Sequence, residues 1–126
     1  MQIDLNAPIF ITGHWRSGTT LISRMLNNHK DICVTYDLVH FMRFSYKKYN
    51  PIKKESCTLQ LVKDIAERID YRYQIKLSVD EVMLDIGGSY SYAVIYNAIM
   101  SSLLLRNTTM SIWGEKTNLA WRQIPN

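Results

Sequence analysis

The chain has 126 residues, of which 47% are apolar and 11% aromatic, enough for one ordinary core and too apolar for a disordered tail or a disulfide-stapled miniprotein. Fifteen Lys and Arg against eleven Asp and Glu leave a formal charge of +4, far from a histone-like balance, and a nucleotide-sized anion accounts for it as well as a nucleic acid does. Two cysteines, Cys33 and Cys57, have neither metal-ligand spacing nor a disulfide framework around them, so a reducing compartment is the default.

Residues 1–8 carry no basic or apolar leader region. The most apolar stretch, 92–105, is too short for a membrane span and is interrupted by Asn97, Ser101 and Ser102. A cytoplasmic chain without a transmembrane segment is expected. No repeat or Gly/Ser linker divides it, so one continuous domain is expected. Residues 9–11, a short apolar run closed by Gly13, suit a buried parallel strand. A glycine-framed loop follows, and then 19–28, with Leu21, Ile22, Met25 and Leu26 at helical spacing, reads as a helix.

A second strand is predicted at 32–35, ending near Tyr36 and Asp37. Residues 38–49 read as helical at first and then basic, with Arg43, Lys47, Lys48, Lys53 and Lys54 in a stretch broken by Pro51. Such a charge run is read as a solvated face. Residues 58–73 carry an apolar stripe, with Lys63/Glu67 and Asp64/Arg68 one turn apart on the wet side, and predict an amphipathic helix. Ser78 with Glu81 resembles a capping box for a short helix that Gly87 and Gly88 end. A further helix is predicted at 89–106, then a short strand at 110–113 and a turn at 114–117. Strands alternating with helices argue for an α/β fold with a parallel sheet. The helical stretch 38–106 would be an insertion or a covering layer beside it.

Gly13-x-x-x-x-Gly18-Thr19-Thr20 has the glycine spacing of a phosphate-binding loop, but Thr19 stands where nucleoside-triphosphatases carry Lys. Glycines there let backbone N–H groups turn toward a phosphate, and the following helix start adds donors and the positive end of its dipole. Arg16 inside the loop can supply the cation, and Ser17, Thr19 and Thr20 add hydroxyls; no metal ion is needed. The plainer alternative is that Gly13 and Gly18 only make a tight strand-to-helix turn.

The segment from Pro8 to Leu26, centred on Arg16-Ser-Gly-Thr-Thr20, resembles the 5′-phosphosulfate loop of sulfotransferases. The resemblance is to the branch that includes protein-tyrosine sulfotransferases and many bacterial relatives. Trp113-Gly-Glu-Lys-Thr117, about a hundred residues on, is similar to a second motif of that branch. The resemblance implies an α/β sheet of phosphate-loop nucleoside-triphosphatase-like topology and use of 3′-phosphoadenosine 5′-phosphosulfate (PAPS), whose sulfuryl group passes to a hydroxyl or amine. The partners it implies are this nucleotide co-substrate and an acceptor that the sequence does not identify, with no nucleic acid.

By the same resemblance Arg16 stands beside the leaving 5′-phosphate, and Gly13, Ser17, Gly18, Thr19 and Thr20 form the phosphate cradle. Asp37, 21 residues after Arg16, falls where the tyrosine-sulfotransferase branch places its catalytic glutamate. It would also sit at the carboxyl end of a strand, the rim where open α/β sheets bind ligands. The alternatives are that Asp37 is a helix N-cap ahead of Leu38, or that His40, one turn onward, is the base. Lys116 matches the lysine of the second motif and would bind the sulfuryl oxygens or brace the loop, although Asn118 replaces the Pro that usually follows. Glu115 is left between a pairing role and a substrate contact. His14 and Trp15 either line the acceptor pocket or, for Trp15, pack beneath the loop, and Cys33 reads as a small core residue.

In the family a later strand and helix supply an Arg and a Ser that grip the 3′-phosphate, and no such element precedes Asn126. Residues 1–126 are therefore expected to be the N-terminal portion of one sulfotransferase domain. Helix 89–106 would then expose apolar surface open to self-association. Two other functions remain in view: a non-catalytic half-domain that holds a phosphate or nucleotide, and a phosphate-loop kinase. Against the kinase stand the missing loop Lys and the lack of an Mg²⁺-binding carboxylate other than Asp37.

Overall fold

The computed structural model describes residues 8–13, 16–104 and 112–117. They fall into two compact units, one of residues up to Arg43 together with 112–117, the other running from Phe44 to Leu104.

The first unit is α/β. Strand β1 (Ile9–Ile11) leads through the glycine loop into helix α1 (Thr19–Asn27), and strand β2 (Ile32–Tyr36) follows. Strand β3 (Ile112–Lys116) lies between the other two, giving the order β1-β3-β2 with both pairings parallel. The register sets Ile11 beside Lys116 and Tyr36 beside Lys116, so all three strands end at one edge. Trp113 is buried and meets Phe10 edge to face, ring centroids 5.8 Å apart.

The third strand differs from its predicted bounds. Gly114, Glu115 and Lys116 are its last residues and not a turn after it. Gly and two charged residues carry little strand propensity alone, but Gly114 lies where two backbones almost touch. A Cβ there would come within 2.4 Å of the Ile9 carbonyl oxygen.

Helix α1 ends one residue before its predicted bound, and the apolar residues that mark it in the sequence are not its buried ones. Thr19 and Ser23 are its buried residues, and the Ser23 hydroxyl donates to the Thr19 carbonyl at 2.7 Å. One turn on, the Asn27 amide spans the outward backbone of edge strand β2: its Nδ2 donates to the Val34 carbonyl at 3.0 Å, and its Oδ1 accepts from the Val34 N–H at 2.6 Å. That pairing occupies part of an edge otherwise open to another strand. Leu21, Ile22 and Met25 stand 63%, 50% and 64% exposed on the other side.

The second unit is helical. A π-helical turn (Met42–Tyr46) runs directly into the short α2 (Lys47–Tyr49), which stops ahead of Pro51. Helix α3 (Glu55–Tyr73) buries Leu61, Val62, Ile65 and Ile69, the predicted stripe, and starts three residues earlier than expected. Helix α4 (Val79–Ile86) opens at Ser78, whose hydroxyl accepts from the Glu81 N–H at 3.4 Å, and closes at Gly87, as the capping pattern predicts. Helix α5 (Tyr92–Leu104) buries Ile95, Tyr96, Ala98, Ile99 and Met100. Its described apolar residues are thus largely covered; the large apolar side chains left exposed include those of α1. Among the described residues no helix is long and apolar enough to cross a membrane.

Asp64 on α3 takes its partners from the basic stretch. Lys48 Nζ donates to it at 2.7 Å, Gln60 at 2.9 Å, and the Tyr49 hydroxyl also donates. Arg68 instead lies over the Phe44 ring, 4.4 Å from its centroid. Partial burial pushes the Asp64 carboxyl up, but the Lys48, Tyr49 and Gln60 donors outweigh it and hold the group at about 2, below its ordinary 3.8.

Two measurements check these assignments. Gly114→Ala forces β1 away from β3 and is expected to cost about 2–3 kcal/mol in urea unfolding; a neutral result contradicts the close approach. The ionised Asp64 contributes stability that is full above about pH 4 and fades as the pH falls through its folded value. The advantage of the native chain over Asp64→Asn in urea should therefore shrink steadily from about pH 4 to pH 2, and a pH-independent difference would show that the contacts are not ionic.

Candidate active site at the carboxyl edge of the sheet

The loop leaving β1 folds back on itself. A Cβ on Gly13 would lie 2.7 Å from Ser17 Oγ and 3.3 Å from Thr19 Cγ2, so the missing side chain is the space those groups fill. Arg16 is exposed with φ 62°. Gly18, the N-cap of α1, has φ 87° with open space around it, a conformation that suits glycine. Ser17 and Thr20 are exposed, whereas Thr19 turns inward and is buried. His14, Trp15 and Asn118 lie outside the described residues.

The first turn of α1 contains no acidic residue, and no side chain caps it. A helix start leaves backbone N–H donors and a partial positive charge, which an acid or a capping oxygen would otherwise offset. With Arg16 two residues before the cap, this loop can take an anion by backbone donors, hydroxyls and one guanidinium. Among the described residues no group of three or more His, Cys, Asp and Glu could hold a metal ion.

The other strand ends converge on the same edge. The Asp37 N–H donates to the Lys116 carbonyl at 3.0 Å, and the Thr117 N–H to the Ile11 carbonyl at 2.8 Å, extending the ladder by one residue on each side. Lys116 is buried, its Nζ 5.9 Å from the centroid of the Tyr36 ring. The Tyr36 hydroxyl in turn lies 3.4 Å from Asn27 Nδ2 of α1. Lys116 therefore shares both the edge and the sheet face of the helix that the loop opens. Cys33, on β2, is half-buried, and burial pushes its thiol up.

Residues 37–40 are not helical, which corrects two expectations: Asp37 does not cap a helix ahead of Leu38, and His40 is not one helical turn from it. Asp37 and His40 have φ 50° and 46°, a region that costs a non-glycine residue about 1–2 kcal/mol. The backbone reverses so that His40 Nε2 comes 3.5 Å from Asp37 Oδ1, with the imidazole 6% exposed and the carboxylate 39% exposed. Of the two, Asp37 is the group a substrate can reach.

Glu115 is the residue whose place the sequence did not reveal. It is fully buried, and its Oε1 accepts from the Val39 N–H at 2.8 Å and the His40 N–H at 2.7 Å. The available signal was parity: two positions after Trp113, its side chain shares that residue's buried face.

An open parallel sheet thus gathers at its strand ends a glycine-framed loop, a lysine and an accessible carboxylate. Residues 8–125 match the Sulfotransferase family model, and the chain belongs to that family. The curated proteins and the solved structures give no match to it.

The fold-back of the loop predicts a coupled pair. Gly13→Ala should destabilise the chain by about 1–3 kcal/mol. Combining it with Ser17→Gly should recover part of that loss, because the nearest obstructing atom is gone; strictly additive effects in thermal unfolding would contradict the packing.

Proposed function

We propose that the chain transfers the sulfuryl group of PAPS to a hydroxyl or amine acceptor, on a sheet of phosphate-loop topology. The observation that carries this reading is the meeting, at one sheet edge, of an uncapped, acid-free helix start with Arg16 and Lys116 on one side and a reachable carboxylate, Asp37, on the other. The order β1-β3-β2, parallel throughout, agrees with that topology, since each parallel pair is joined by a crossover and not by a hairpin.

The loop fits a 5′-phosphosulfate: Gly18 leaves open space before the first N–H groups of α1, and no carboxylate repels an anion there. The backbone of 18–20 with the Ser17 and Thr20 hydroxyls holds the group, and Thr19 contributes through its backbone because its side chain is buried. PAPS supplies an activated sulfuryl group joined to phosphate through an anhydride oxygen. Arg16 stabilises the negative charge that grows on that oxygen as the phosphate leaves. Lys116, steadied beside Tyr36, places its ammonium toward the sulfuryl oxygens. Asp37 takes the proton of the acceptor, with the His40 imidazole 3.5 Å behind it.

Transfer of ³⁵S-labelled sulfuryl from PAPS to a panel of phenolic, carbohydrate and amine acceptors tests the proposal. Arg16→Ala should abolish transfer without unfolding the chain, and Asp37→Asn should lower it about a hundredfold or more. An unchanged rate in folded Arg16→Ala would sink the mechanism. Nucleotide binding without transfer would support a binding half-domain, and preference for Mg²⁺·ATP a kinase.

A further inference from the structure

A buried carboxylate persists only where hydrogen bonds replace its water. Glu115 meets that condition by gathering two successive backbone N–H groups, those of Val39 and His40, on a single oxygen. Both belong to the segment 37–40, whose ends, Asp37 and His40, carry positive φ. A third bond, from the Asp37 N–H to the Lys116 carbonyl, ties the start of the segment to the same strand. Residues in this conformation relax to the ordinary regions unless surrounding contacts over-determine them. The hydrogen bonds from 37–40 to 115–116 are of that kind, and two of the three end on the Glu115 side chain.

We propose that Glu115 is a positioning residue: by clamping the Val39 and His40 amides it holds the His40 imidazole and the Asp37 carboxylate face to face, 3.5 Å apart. The inference rests on the reading of Asp37 as the base, and it adds that the base works as a pair set by a third residue on the strand next to β1. Glu115 itself touches neither donor nor acceptor, being fully buried. Its neighbour Lys116 points to the other face of β3, so the two charges of the motif act on opposite sides of the sheet.

The test needs no donor and no turnover, so it stands or falls separately from sulfuryl transfer. In the isotopically labelled full chain, Asp37→Asn should move the ring-nitrogen resonances of His40. In Glu115→Ala the same Asp37→Asn change should leave them unmoved. The Val39 and His40 amides should exchange with deuterium at least about tenfold faster there, since each loses a hydrogen bond to a charged acceptor. The Val34 amide, held by Asn27 in the same unit, should keep its rate. Glu115→Gln retains an oxygen acceptor and should keep the Asp37 response, which a general loss of stability would not predict. The proposal is overturned if His40 ignores Asp37→Asn in the native chain, or if it still responds in Glu115→Ala. Should Glu115→Ala not fold, Glu115→Asp decides: its carboxylate is one methylene short of the two amides, so faster exchange confined to Val39 and His40 supports the clamp, and unchanged exchange at both overturns it.

Discussion

Strand β3 is the constraint on which the first unit depends. The sheet pairs β1 and β2 with β3 and not with each other, so the two earlier strands are aligned only because residues 112–116 lie between them. Its register brings Ile11, Lys116 and Tyr36 level, and with them the loop after β1 and the bend after β2. The site is a consequence of that alignment. The approach is close enough that Gly114 has no room for a side chain, two residues from the edge at which the site is proposed. Parallel pairing over so long a sequence separation is entropically expensive and forms late, so the edge cannot assemble before the chain has come back.

Backbone strain gathers where the chemistry is proposed. Among the described residues the non-glycine residues with positive φ are Arg16, Asp37, His40 and Gln74, and three of these four lie in the loops at the carboxyl ends of β1 and β2. Gln74 closes α3, where a left-handed residue is an ordinary helix ending. The other three have no such local excuse. At about 1–2 kcal/mol each, the two after β2 are framed by the ladder extension at Asp37 and the bonds of the Val39 and His40 amides to Glu115. Arg16 gains by its conformation an exposed guanidinium directly before a helix start.

Much of this was legible in the sequence. The glycine frame, the strand before it and the helix after it follow from local pattern, and so do the α3 stripe and the Ser78 cap. Asp37 could be placed at a strand end because a short β-branched run precedes it. What local pattern could not supply was the environment of charged residues. Gly114, Glu115 and Lys116 look like a turn, because a buried Glu in a central strand makes sense only once its two amide partners, seventy-odd positions away in sequence, are known. The face of α1 was hidden for a related reason. Leu21, Ile22 and Met25 mark a helix by spacing, but Thr19, Ser23 and Asn27 have their own period: Thr19 and Ser23 are the helix's buried residues, and Asn27 is the one whose hydrogen bonds join it to Val34 of β2. Periodicity identifies a helix more securely than the side that faces inward.

The order of the second motif has a physical reason. In a strand, successive side chains point to opposite faces. Glycine comes first, where β1 and β3 make their closest approach. Glutamate comes next and faces away from α1, where two N–H donors need an acceptor. Lysine follows on the α1 face beside Tyr36, at the edge where the loop presents its own positive charge. Exchanging the last two would set an ammonium, which has no lone pair to offer, against the Val39 and His40 donors. It would also put a carboxylate on the face and edge of the anion loop, opposing the helix start and Arg16. Each of the three residues is thus specified by what lies on its own side of β3, and the edge at which the site is proposed is built by the same short strand that holds the sheet together.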